Sequence, residues 1–256
     1  MSEKFNSDGV EIAYQQWGEG QPILLIHGFA SNMNVNWRDT GWVATLNKAG
    51  YRVIAIDNRG HGESEKLYDK ALYLAPMMAE DARRLLDHLN IERAAVMGYS
   101  MGARISAFLT LHHPARVRCV VFGGMASNLV NGVGGTEAIA QALLAPTLSD
   151  VTDREARGFR IFADSTKADK QALAACILSS RVKLKAEALA AIQCPALFVA
   201  GELDEVAGSI DGIVAMLPHA RGVTLPRRNH MNAVGDSGYK QAVLAFLNDV
   251  ELGKFI

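Results

Sequence analysis

One pentapeptide constrains this chain more than any other feature: Gly98-Tyr99-Ser100-Met101-Gly102. It directly follows the apolar run Ala94-Ala95-Val96-Met97 and leads into a stretch over 103–111 with helix-compatible composition. A serine with a glycine two positions away on each side, set between a strand and a helix, has the pattern of a nucleophile elbow. The spacing has a steric cause. The serine must adopt a strained backbone conformation to present its hydroxyl, and bulky residues at 98 or 102 would collide with the adjoining strand and helix. A plain glycine-serine turn could carry the same letters, but it would not need a strand before it and a helix after it. Ser100 is therefore expected to be a nucleophile.

Around this point, short apolar runs alternate with longer helical patterns, the grammar of a mostly parallel α/β sheet covered by helices. Runs at 22–27, 52–57, 94–97, 119–122, 195–200 and 222–225 read as strands, and 77–89, 210–217 and 239–249 as helices. Asp8-Gly9 reads as a hairpin turn. From 125 to 192 the alternation stops, and the helical patterns 137–144, 153–162 and 170–178 follow one another. The expected division is a first core part at 1–124, a helical cap or lid at 125–192, and a second core part at 193–256. Such an insert should lie near the carboxyl ends of the strands, where ligands bind. Gly132-Val133-Gly134-Gly135 reads as its flexible beginning, since no strand precedes it and no Lys-Ser/Thr follows.

Composition narrows the classes. The chain has 256 residues, 49% of them hydrophobic, and a formal net charge of -1, which suits one domain large enough to fold without disulfides or structural metal. No long Lys/Arg cluster is present, which argues against nucleic acid as a partner. The three cysteines are widely spaced, and Cys119 and Cys194 are expected to be buried free thiols. The adjacent pair His112-His113 cannot share one helix face, so no metal site is expected. No apolar leader-like stretch follows Met1 and no run could span a bilayer, so a cytoplasmic location is expected.

A serine nucleophile needs a general base, and the base needs an orienting carboxylate. Both must come from loops at the same sheet edge as Ser100. His230 lies just past the run ending at Leu225, and Asp204 just past 195–200, giving the chain order Ser, Asp, His that accompanies this elbow. Glu202 and Glu205 flank Asp204 as alternatives, while Asp57 is expected to serve hydrogen bonding in its own turn. Two backbone N–H groups should form the oxyanion hole: Met101, directly after the nucleophile, and Phe29, after His27-Gly28.

His27-Gly28-Phe29, the segment Asp57 to Ser64, the elbow, Asp204 and His230 together resemble the serine-nucleophile members of the α/β-hydrolase superfamily. These anchors run across nearly the whole chain outside the insert. Ala103 and Asn229 stand where glycine is common, and the oxyanion loop lacks the multi-glycine form of some lipases and esterases. The resemblance implies an eight-stranded, mostly parallel sheet flanked by helices, a helical cap, no cofactor, and hydrolysis of esters or related bonds. The expected substrate is a small, largely apolar ester, thioester or lactone. Phe29, Phe159 and Phe162 are the candidate substrate-lining side chains, and Ile139, Leu143, Leu144, Leu173 and Ile177 are further apolar residues of the insert. A carbon–carbon bond hydrolase or perhydrolase on the same triad, and a ligand receptor that uses the fold without chemistry, are the rival readings. The carbon–carbon reading would need a cationic partner for a carboxylate. Arg104, Arg154, Arg157 and Arg160 are available for it, but surface or helix-pair roles are expected of each.

Overall fold

Apolar runs without polar alternation form strands only where both faces of a sheet are covered. That is their setting in the computed structural model, which describes residues 2–255 and leaves Met1 and Ile256 outside the described residues. Strands β1 (Glu3–Ser7) and β2 (Val10–Trp17) form a hairpin through Asp8 and Gly9, both at positive φ (55° and 88°) as a tight two-residue turn demands. Then come β3 (Gln21–Ile26), α1 (Trp42–Lys48), β4 (Tyr51–Ile56), α2 (Ala75–His88), β5 (Ala94–Tyr99), α3 (Met101–His112) and β6 (Val117–Gly123). Helices α4 (Asn128–Asn131), α5 (Thr136–Leu144), α6 (Arg154–Ser165), α7 (Lys170–Ser180) and α8 (Ala186–Ala190) follow without an intervening strand. The chain closes with β7 (Ala196–Gly201), α9 (Ile210–Val214), β8 (Ala220–Leu225) and α10 (Ser237–Glu251).

The eight strands make one sheet in the order β1-β2-β4-β3-β5-β6-β7-β8. β2 runs antiparallel to β1 and β4, and all other neighbours are parallel. Alternate residues of each strand feed two cores. Leu24, Ile26, Ile54, Val96 and Phe122 pack with α2 and α3, while Ile23, Leu25, Val53, Met97 and Val121 pack with α1 and α10. The strand order reverses between β3 and β5, so loops leaving their carboxyl ends diverge and open a crevice. Ser100 lies at the end of β5, on that crevice.

Some elements depart from expectation. α9 ends at Val214 rather than 217, and β8 begins two residues earlier than 222. Cys119 and Cys176 are buried, but Cys194 is only half-buried; all three thiols are free. In the helices between β6 and β7, Asp153 and Asp169 cap α6 and α7 by accepting first-turn amide hydrogen bonds. α5 packs on both α6 and α7, and α7 also meets the short turn Lys70–Tyr73 of the core.

Candidate active site

Ser100 has φ 55° and ψ -113°, a sparsely populated conformation for a residue with a side chain. Its surroundings explain how it is held there. The Ser100 amide donates to the Gly123 carbonyl at 2.8 Å, anchoring the turn to β6. A Cβ at Gly98 would lie 2.1 Å from the Gly102 carbonyl oxygen, and one at Gly102 would lie 1.9 Å from that of Ile26. Both glycines are therefore required by close backbone contact, and the elbow places Ser100 at the amino end of α3.

Three loops bring the other groups to this point. Leu203 N–H donates to the Arg228 carbonyl at 2.8 Å, pinning the loop after β7 to the loop after β8. Asp204 Oδ1 accepts from the amides of Val206 and Ala207, each at 3.0 Å, so its carboxylate is fixed by its own turn. His230 Nδ1 lies 2.9 Å from both Asp204 oxygens, and its Nε2 lies 2.9 Å from Ser100 Oγ. The Asp204 side chain is fully buried and that of His230 is 15% exposed, which leaves the imidazole edge open beside the serine. The Asn229 side chain accepts from the Met231 and Asn232 amides, building by hydrogen bonds a turn that often contains glycine. Tyr99 O–H donates to the His230 carbonyl at 2.6 Å and holds the loop from beneath.

The third loop follows β3. Buried His27 accepts at Nε2 from the Asn58 amide (3.0 Å) and donates from Nδ1 to the Gly28 carbonyl (2.7 Å), which assigns the neutral tautomer. Burial lowers its pKa to about 4, consistent with that neutral form. The Gly28 amide donates to Asn36 Oδ1 at 3.2 Å. The next amide, that of Phe29, has no acceptor among the described residues, and Met101 is the first residue of α3, whose amide has no intrahelical acceptor. Asp57 does more than serve its own turn: it accepts from the Met33 amide as well as that of Glu63, tying two loops together.

A cavity of about 250 Å³ opens on Ser100 and His230 and is lined by Phe29, Phe159 and Phe162. The Phe29 and Phe159 rings meet edge to face at 5.8 Å, joining the loop after β3 to α6. Of the other apolar residues of the insert, Ile139, Leu143 and Leu173 are buried in the core and Leu144 is exposed. Ile177 lines a smaller cavity on the α3 side of Ser100. A surface role is correct for Arg154, which is exposed, and a helix pair for Arg160, which meets Asp164 at 2.9 Å. It is wrong for Arg104. That side chain is 2% exposed and reaches the carbonyls of Asn128, Leu129 and Val182, because α3 is buried on nearly all sides. The supporting places of Asn36 and Tyr99 depend on tertiary contacts that no local pattern encodes.

The model of the alpha/beta hydrolase fold family matches residues 21–156, more than half the chain. The chain belongs to that family. It is 30% identical over 223 residues to 3-oxoadipate enol-lactonase 1 of Acinetobacter baylyi, covering 81% of each protein. It is 36% identical over 115 residues to non-heme chloroperoxidase CPO-A1 of Kitasatospora aureofaciens; that match takes in 44% of this chain and 40% of the relative. Several other curated relatives are likewise matched over about half their length or less. A solved hydrolase from Pseudomonas aeruginosa PA01 superposes with a TM-score of 0.78 and 26% identity, covering 96% of this chain and 98% of that one. Among the described residues, no helix is long and apolar enough to cross a membrane.

Proposed function

We propose that this protein is a serine hydrolase that cleaves a carboxylic ester, thioester or lactone through an acyl-enzyme on Ser100. The observation that carries the reading is the continuous Asp204–His230–Ser100 relay, with 2.9 Å at each junction. Ser100 Oγ attacks the acyl carbonyl carbon while His230 Nε2 takes its proton. The carbonyl oxygen becomes an oxyanion and accepts hydrogen bonds from the Phe29 and Met101 amides, at the positive end of α3. Collapse expels the alcohol or thiol, which receives the proton from His230. Water then gives its proton to His230, attacks the acyl carbon and releases the acid, restoring the Ser100 hydroxyl. Asp204 holds the Nδ1–H tautomer and stabilises the imidazolium.

The apolar cavity beside Ser100 suits a small uncharged acyl or alcohol arm, and the helices between β6 and β7 act as its lid through Phe159 and Phe162. The enol-lactonase relative supports an ester-type bond as the substrate. A receptor would have no chemical need for the relay. A fluorophosphonate probe followed by peptide mapping separates the two: an enzyme is labelled once, on Ser100, and labelling is lost in Ser100→Ala. An unlabelled Ser100 in folded protein overturns the proposal.

A further inference from the structure

Three arginines are buried among the described residues, and two of them meet a carboxylate. Arg59 is bidentate to Asp81 at 2.7 and 2.8 Å, and Arg160 meets Asp164 at 2.9 Å. Arg104 has no carboxylate within ion-pair distance among the described residues. Its Nη groups donate to the Asn128, Leu129 and Val182 carbonyls, with Met125 Sδ at 3.8 Å, which supplies no counter-charge and leaves the Nε–H as the donor without a partner among the described residues. A buried arginine without an anionic partner is unusual, because desolvating the guanidinium is costly.

Arg104 also has company. It and Arg181 both line a small cavity that includes Ser100 and Met101. Arg181 donates to the Gly134 carbonyl and lies over the Phe159 ring, 5.9 Å from its centroid. Arg181 makes no ion pair among the described residues, and burial lowers its pKa. The amino end of α3 adds its partial positive charge at the same place. This cavity, about 20 Å³, shares Phe29, Ser100 and Phe159 with the larger apolar one, so the two meet at the serine. It holds about one water molecule as it stands, which excludes a long chain.

We propose that the small cavity is an anion subsite, in which Arg104 and Arg181 receive a carboxylate carried by one arm of the substrate. The inference rests on Ser100 being the nucleophile of an ester hydrolase. It specifies a substrate with a carboxylate on one side of the scissile carbonyl and an apolar group on the other. This adds one charged arm to the small, largely apolar substrate expected from the sequence.

The test compares kcat/KM for p-nitrophenyl hemisuccinate and hemiglutarate with that for p-nitrophenyl butyrate and valerate. The wild type should favour the anionic esters by roughly tenfold or more, the scale of a charge-assisted hydrogen bond. That ratio should fall towards one in Arg104→Gln and Arg181→Gln, with the change carried mainly by KM, and be partly restored in Arg104→Lys. Because Arg104 also holds backbone carbonyls, Arg181→Gln decides the matter if Arg104→Gln fails to fold. A wild-type preference for the neutral esters, with Ser100 still labelled by a fluorophosphonate, overturns the subsite alone. An unlabelled Ser100 with no turnover of any ester removes the hydrolase reading and the subsite with it.

Discussion

Asp204 faces His230 with both carboxylate oxygens, whereas its acidic neighbours do other things. Glu202 accepts from the Arg227 amide at 2.8 Å, and Glu205 is exposed. Asp204→Asn should therefore lower kcat by about 10⁴ by favouring the wrong imidazole tautomer, with Glu202→Gln and Glu205→Gln close to wild type. Steady-state kinetics on a chromogenic ester checks this, and a crippled Glu202→Gln would transfer the orienting role. Ser100, Asp204 and His230 were legible because each follows an apolar run, so topology alone sends all three to one edge of the sheet. Asn36 and Tyr99 were not, because each acts through a loop or carbonyl distant in sequence. The surface role expected of Arg104 fails for a related reason: a cation in a helix usually marks its solvent face, and α3 has almost none.

At the scale of elements, the elbow is a crossing of two backbones with no room for a methyl group. A Cβ on residue 102 would overlap the carbonyl oxygens of both Ile26 and His27, at 1.9 and 2.7 Å. Gly102→Ala should cost about 3 kcal/mol or more, since the overlapped atoms are main chain and cannot repack. Urea denaturation measures this, and wild-type stability with full turnover would mean that the strand and helix are less closely apposed. The central strands were legible because both faces are buried, which makes their sequences continuously apolar. α1 was missed: seven residues behind Gly41 offer too short a helical pattern to stand out. β8 was recognised only in part, because Ala220 and Arg221 lie on the sheet edge and are half-buried and exposed. Between β6 and β7, α5, α6 and α7 were visible but the short α4 and α8 and all inward faces were not. Phe162 is half-buried and lines the apolar cavity, so Phe162→Ala should shift the preferred acyl length of neutral esters by several-fold, at about 0.8 kcal/mol per methylene. An unchanged ranking across an ester series would remove it from the substrate surface.

The whole molecule carries a pH dependence built into the support of the loop after β3. His27 and His61 are buried with ring centroids 5.3 Å apart, and burial lowers their pKa values to about 4 and about 3, the proximity of His27 adding to the shift at His61. Unfolded, each would bind a proton near pH 6.5, so the unfolded state holds more protons below that pH. Stability contributed by keeping them neutral is fully present above about pH 6.5 and is lost progressively as pH falls towards 4 and 3. Burial raises the pKa of nearby Asp57, which acts in the opposite sense. The thermal midpoint should therefore fall between pH 7 and 5, and fall less steeply in His61→Gln than in the wild type. Parallel profiles for the two proteins would show that His61 is not a source of the slope. The same fold sets Ser100, His230 and Asp204 at the point where strand order reverses. The most direct measurement is the turnover of one neutral chromogenic ester by the wild type and by Ser100→Ala, with the fold of each verified by circular dichroism. We predict a native spectrum for Ser100→Ala and a loss in kcat on the order of 10⁶, as in other serine triads; a folded Ser100→Ala protein turning over near the wild-type rate would contradict the account.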